Sequence, residues 1–413
     1  MLITNAKKID IKLIFVPQSL QMTAQVAPKK NRIEVVDFIR GFAIMAIMLL
    51  HNIERFNLYV FPGGMKGMSG LDRGIWDTLF FMFGGKTYSI FALLFGFTFF
   101  VQYTGAKCRG QNFDGRYLWR LLLLAGLACI NAAFFPGEVL MLYAVVGVVL
   151  YLFRKASNTW VLVAATVFML QPVELFYYFK DLLDSSFELP AQLSRQLHGG
   201  VKEYVNEGTF WALVKGNTTI GQAWSMMWAI ENGRFLQTAG LFLMGMFIGR
   251  KQWYADKPEN RKVWWRILIS GFITAVIFYF LRDAYYLNRD FEFRRSIGVA
   301  IDMWWKVSCT FIWVSIFVLL YKTQVFKKIT KPFLSYGKMS LTNYITQSII
   351  GSLLYFPFAM NLAPKITVTE SLLLGVVLFV MQIAFCNWWI KKYKQGPFEK
   401  LWHRLTWINS DKQ

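Results

Sequence analysis

The chain has 413 residues, 55% of them hydrophobic and 18% aromatic, and its 45 Lys and Arg against 24 Asp and Glu give a net charge of +21. Apolar runs of about 17–25 residues recur along the whole length, which excludes an ordinary soluble domain. The cations sit between these runs rather than on one face, so the charge reads as positive-inside anchoring and not as a nucleic-acid surface.

Residues 1–33 carry Lys7 and Lys8 ahead of a short apolar piece broken at Pro17, the pattern of a disordered basic cytoplasmic arm rather than of a signal peptide. Ten spans follow, at 36–60, 77–103, 117–135, 138–154, 158–178, 234–250, 263–281, 297–321, 339–359 and 367–390. Alternate connectors are basic: the arm, Lys107 to Arg116, Arg154-Lys155, Arg250 to Arg266, Lys322 to Lys338, and the amphipathic tail 393–413 that begins after Lys392. The intervening connectors are near neutral, and 179–233 is slightly acidic. One missed span would invert everything after it, so the alternation predicts an all-α, polytopic inner-membrane protein of about ten transmembrane helices with both termini cytoplasmic. The 179–233 stretch is expected to form amphipathic pieces on the outer face, for example around Thr209-Phe-Trp-Ala-Leu-Val. No internal repeat is evident, which disfavours an inverted-repeat transporter.

Charge is least welcome inside spans, and the first one holds Arg40 and His51. Eleven positions at about 100° each make three turns and roughly 20°, so the two share one helix face about 16 Å apart. In the predicted orientation Arg40 lies near the cytoplasmic boundary, where its donor fork suits a phosphate or carboxylate. His51 lies in the outer half, as a general base or transient acyl acceptor. The bland alternative pairs Arg40 with Asp37 and hydrogen-bonds His51 to a neighbouring helix.

Gly84-Gly-Lys-Thr interrupts the second span, which is therefore kinked or re-entrant, and Lys86 there either coordinates an anion or snorkels. The first glycine and preceding strand of a phosphate-binding P-loop are missing. Arg116 and Arg120 extend an inner anion site or anchor the third span. Glu138, after Pro136-Gly, orients His51 or stays solvated, and Asp302 pairs with Lys306 one turn on or acts as an acid or base. Ser340, Asn343 and Gln347 form a polar stripe that, with Asn52, either bonds other helices or lines a substrate tunnel. Cys108, Cys129, Cys309 and Cys386 form no CxxC pair and the three histidines lie far apart, so no metal centre or disulfide framework is expected.

Val36-Asp-Phe-Ile-Arg-Gly-Phe-Ala-Ile, Lys86-Thr-Tyr-Ser-Ile-Phe-Ala-Leu-Leu-Phe-Gly, Gly137-Glu-Val-Leu-Met-Leu-Tyr, Gly337-Lys-Met-Ser-Leu-Thr-Asn-Tyr and Gln395-Gly-Pro-Phe-Glu-Lys-Leu-Trp-His-Arg-Leu-Thr together resemble the YeiB-type family, a domain of unknown function numbered four-eighteen. That family is similar to the wider transmembrane acyltransferases, where an arginine, ten residues and a histidine mark the first helix. The resemblance implies that Arg40 and His51 take these places, His51 in acyl transfer, and that the arginine-rich inner side meets acyl-coenzyme A. Many nearer relatives carry asparagine where His51 stands, and a histidine before a Gly-Asp motif is replaced around Asn131, with Glu138 for the aspartate.

The expected function is transfer of an acyl group, acetyl first, from cytoplasmic coenzyme A to a hydroxyl or amine at the outer side, without metal. The acceptor is a glycan, a lipid or a small metabolite. Arg40, Lys86, Arg116 and Arg120 would hold the donor, and His51, Glu138 and Asp302 would do the chemistry. A non-enzymatic transporter or lipid- or metabolite-binding protein is the alternative. Beyond the bilayer and acetyl-coenzyme A no partner is read, and a homo-oligomer is compatible with the chain.

Overall fold

The computed structural model of the chain describes residues 33–56, 68–184, 186–287 and 295–408. Of the expected arm 1–33, all but the last position lies outside them. Every regular element among the described residues is helical.

Over the described residues each predicted span falls on a helix or a broken helix, and positions 57–60 of the first lie outside them. The first is α1 (Glu34–Ile53). The second divides into α2 (Gly70–Phe83) and α3 (Thr87–Cys108). Between them Gly85 takes φ +71°, a conformation open to glycine at little cost, so the expected break is a turn of the backbone. The third is α4 (Asp114–Ala132), and the fourth divides at Gly147 into α5 (Leu140–Val146) and α6 (Val148–Phe153). The fifth bends by 49° between α7 (Asn158–Met169) and α8 (Pro172–Leu183). There Gln171 has φ +56° and Pro172 opens the new helix.

The expected amphipathic stretch holds α9 (Leu193–Asn206), α10 (Phe210–Gly216), a single π-turn and α11 (Gln222–Glu231). Then come α12 (Arg234–Arg250), α13 (Pro258–Leu287), α14 (Arg295–Leu320), α15 (Gln324–Lys338), α16 (Ser340–Tyr355), α17 (Val368–Lys392) and α18 (Pro397–Thr406). Among the described residues five segments are long and apolar enough to cross a membrane, with α2 and α3 taken as one, and the bent pair α7–α8 makes a sixth. The 17-residue α12 is buried nearly all round, from Gln237 to Gly249, as a helix wholly inside a protein must be. On α13 and α17 the large apolar residues Ile269, Phe272, Ile273, Val377 and Val380 instead point outward, a surface suited to lipid.

The first helix sits in the middle, with α3, α15, α16 and α17 against it. Its crossing with α15 is a direct backbone contact: a Cβ on Gly337 would lie 1.8 Å from the Asp37 carbonyl oxygen. Small residues at such a crossing allow two helices to touch. Phe38 and Phe42 then wedge against Phe317 of α14, with ring centroids 5.2 and 4.5 Å apart. The tail folds back as α18: Trp119 Nε1 donates to the Leu405 carbonyl at 3.0 Å and Trp402 Nε1 to the Arg120 carbonyl at 3.3 Å.

Candidate functional site

Helix α1 carries Arg40 and His51 into two different cavities. The Arg40 cavity has a volume of about 230 Å³ and the His51 cavity about 600 Å³. Ile47, Tyr88, Val139 and Tyr344 line both, so these four side chains form a shared wall between them. Ile47 lies two turns beyond Arg40 and one turn before His51, which puts the wall between the two polar groups along the helix.

At the Arg40 end, Arg40 Nη1 donates to Asp37 Oδ1 at 3.2 Å and Nη2 to Thr98 Oγ1 at 3.1 Å. The expected local pair therefore exists, and it holds the guanidinium toward α3. Arg120 and Lys338 line the same cavity, as does Ser340 from the polar stripe. The Arg120 guanidinium rests 4.1 Å from the Trp402 ring centroid and donates to Thr406 Oγ1 at 3.3 Å. Beyond these cations the walls are apolar, with Ile44, Leu94, Phe95 and Leu124. Charge at one end and hydrocarbon behind it suits a ligand with an anionic head and a flexible, weakly polar arm.

The tail closes this cavity. Glu399 of α18 accepts from the backbone N–H of Leu341 at 2.7 Å and of Thr342 at 3.1 Å, and from Thr342 Oγ1 at 2.5 Å. It thus serves the unsatisfied first turn of α16 from another element. Burial raises its carboxyl above the ordinary value. The carboxyl-terminal motif quoted above is built around this contact, which spacing alone does not reveal.

At the other end, His51 Nδ1 lies 2.9 Å from Glu54 Oε2, and its ring packs 4.7 Å from that of Phe135. Neither a neighbouring helix nor Glu138 holds the imidazole; Glu54, one turn on and not singled out from sequence, does. Two left-handed residues, Arg55 and Phe56, then end the helix directly after Glu54. Arg55 is tied by Nη1 to the Ala363 carbonyl at 2.7 Å, which fixes the helix end. Glu138 lines the same cavity, but its oxygens accept from the N–H groups of Leu140 at 2.5 Å and Met141 at 2.8 Å. Its first role is thus a cap of α5.

The segment α9–α11 roofs the His51 cavity with Ser194, Arg195, His198, Trp224 and Trp228, and Arg234 enters from α12. His198 lies on α9 and lines the cavity. Burial, and then Lys202, lower its affinity for a proton.

Several expected site residues lie elsewhere. Lys86 does not join Arg40: its buried Nζ donates to the Phe81 carbonyl at 2.5 Å and sits 3.8 Å from the Trp305 ring centroid. It closes the carbonyl end of α2, where a helix break leaves acceptors unserved. Arg116 stacks 4.6 Å from Trp407 and holds the tail through the Thr406 carbonyl at 3.4 Å. Asp302 lines neither cavity and is taken up by Lys306 and, at 3.5 Å, by Arg282. The tunnel reading fails for three of its four members. Asn52 donates to the Met48 carbonyl at 2.9 Å and accepts from Tyr355 at 3.0 Å, and Asn343 donates to the Tyr336 carbonyl at 3.0 Å. Gln347 donates to the Tyr336 hydroxyl at 3.0 Å and to Gln382 at 3.3 Å. Polar groups on a helix of this kind bond other helices because hydrocarbon offers no partner.

Residues 248–409, helices α13 to α18 with Glu399 and Trp402, match the family described as "Protein of unknown function (DUF418)". Nearly the whole chain then aligns, at 26% identity over 394 residues, with the uncharacterized protein YeiB of Escherichia coli (strain K12), covering 90% of this chain and 95% of that one. The carboxyl-terminal part of the chain thus matches the DUF418 family, and nearly its whole length is similar to YeiB. Its similarity to the uncharacterized protein YxaH of Bacillus subtilis (strain 168) is 25% over 399 residues, or 92% of this chain and 95% of the relative. An uncharacterized 39.9 kDa protein of Bacillus acidopullulyticus is 25% identical over 390 residues, 91% and 94% of the two chains. No solved structure matches the chain. The family match covers the tail contact over the Arg40 cavity, whereas Arg40 and His51 lie ahead of it, in the part covered by the similarity to the full-length relatives.

Proposed function

We propose that the protein is a cell-membrane acyltransferase of about ten spans with both termini in the cytoplasm, taking an acyl group, acetyl first, from coenzyme A to a hydroxyl or amine at the outer side. The observation that carries this reading is the pair of cavities on one helix, one rimmed by Arg40, Arg120 and Lys338, the other holding His51 and Glu54, with a common wall. The cationic rim faces the cytoplasm in this topology and takes the coenzyme phosphates. The pantetheine arm lies along the apolar walls and brings the thioester to the four shared side chains, between which it meets the acceptor from the His51 cavity.

In the tautomer that donates from Nδ1 to Glu54, His51 keeps a lone pair on Nε2. The acceptor proton passes to Nε2 as its oxygen or nitrogen bonds to the thioester carbonyl carbon. The carbon–sulfur bond then breaks, and the departing thiolate takes the proton from His51. A positioned base contributes about 10²–10⁴-fold, and holding the two reactants together adds to it.

Labelled acetyl-coenzyme A and purified protein test the scheme. Arg40→Ala is expected to weaken coenzyme binding, and His51→Ala to leave binding intact while abolishing labelled product. Unchanged behaviour in both variants refutes the enzyme and favours a non-enzymatic carrier.

A further inference from the structure

The His51 cavity holds more positive charge than its own acids answer. Among the described residues lining it the carboxylates are Glu54, paired with His51, and Glu138, occupied with the first turn of α5. The guanidinium groups of Arg195 and Arg234 face the same space, and His198, whose burial disfavours its charged form, lies beside them. No carboxylate pairs with Arg234 among the described residues.

Arg234 is half-buried and held flat between aromatic faces, its guanidinium carbon 4.1 Å from the Trp228 ring centroid and 4.6 Å from that of Tyr88. Its Nε is buried and makes no hydrogen bond to the described protein. A desolvated guanidinium without a counter-charge is costly. The rings fix its plane and recover part of that cost, leaving a donor fork whose geometry matches a carboxylate or phosphate. Gln192, Gln222 and Asn232 line the same walls and offer amide groups to hydroxyls.

We infer that this cavity binds an oxyanion-bearing polyol, a compound with a phosphate or carboxylate beside its hydroxyls, and that Arg234 is the anion anchor. The inference rests on the transfer reading only in naming this compound the acceptor. A lipid headgroup and a soluble metabolite share that chemistry.

The test uses the full chain in detergent and in nanodiscs. Soluble sn-glycerol 3-phosphate is titrated against glycerol, with tryptophan fluorescence as the readout because Trp224 and Trp228 line the site. Nanodiscs of phosphatidylglycerol are compared with phosphatidylcholine by native mass spectrometry. The expected result is a clear preference for the anion in at least one arm, with affinity lowered about tenfold or more in Arg234→Gln and less in Arg234→Lys, which keeps charge but not the fork. Coenzyme A binding at the Arg40 cavity is expected to be unchanged in both variants. The wild-type preference over neutral probes stands as a test even if a variant does not fold.

No anion preference in either arm overturns the inference, as does an Arg234→Gln protein that binds like the wild type. Labelled transfer that persists without anion preference overturns this inference alone. Anion binding that persists without any coenzyme binding overturns the transfer reading alone.

Discussion

Replacing Glu399 with alanine tests the tail contact most sharply. The side chain serves three donors at the start of α16: the N–H groups of Leu341 and Thr342 and the Thr342 hydroxyl. Loss of an ordinary helix cap costs about 0.5–2 kcal/mol, and each buried donor left unserved about 1–3 kcal/mol, contributions that do not add fully. A local destabilisation of about 2–4 kcal/mol follows. At 1.4 kcal/mol per decade, amide hydrogen exchange at Leu341 and Thr342 should quicken by about 30- to 700-fold in Glu399→Ala. Glu399→Gln keeps an oxygen for both N–H groups and should cost only about 1 kcal/mol. The two forms also differ in pH dependence. Burial raises the folded carboxyl above 4.5, so the folded state binds this proton more tightly than the unfolded chain does. The stability associated with that proton is fully present below the unfolded value and is lost as pH rises through the folded one. Exchange in the wild type relative to Glu399→Gln should therefore speed up as pH rises above 4.5, with the intrinsic pH dependence of exchange cancelling in the ratio. A constant ratio, or unchanged protection in Glu399→Ala, refutes the reasoning.

Glu54→Gln removes the carboxylate that accepts from His51, and product formation should fall about 10- to 100-fold with coenzyme affinity intact; a wild-type rate would remove Glu54 from the mechanism. Gly337→Ala places a Cβ 1.8 Å from the Asp37 carbonyl oxygen, so α1 and α15 must part by over an ångström. Overpacking of this kind costs about 1–3 kcal/mol, and because Arg40 rides on α1, both the thermal midpoint and coenzyme affinity should drop together. Gln347→Leu strips a partner from the Tyr336 hydroxyl and from Gln382, at about 1–3 kcal/mol. Since Gln347 lines neither cavity, the transfer rate per folded molecule should hold, and a selective loss of rate would reinstate the tunnel reading.

The helices themselves were legible because their signals are local. A run of apolar residues and a Gly-Gly-Lys interruption each act within a few positions, and α12 begins and ends where the hydropathy places it, whereas the bend at Gln171-Pro172 inside the fifth span was not read. The separation of Arg40 from His51 was legible for the same reason, since helical geometry converts eleven positions into a face and a distance. Orphan charges were harder to read. Lys86 looked like an anion ligand, yet a break in the helix beside it supplied carbonyls that pure span counting ignores. Asn343 and Gln347 show the same ambiguity, because a polar side chain facing a partner helix and one facing a tunnel have identical spacing.

Sequence by itself determined an all-helical chain with membrane-compatible helices and a basic group and an imidazole at two depths of its first helix. Only tertiary structure decided that these two groups open into separate cavities with a common wall. It also decided that Glu54 rather than Glu138 holds His51, that Glu399 closes one cavity, and that Arg234 and His198 face the other. The contacts that build these features join residues far apart in the chain, such as Leu341 with Glu399 and Arg55 with Ala363. Hydropathy and periodicity carry information over one or two helical turns, whereas which faces meet is set by packing of whole helices against one another.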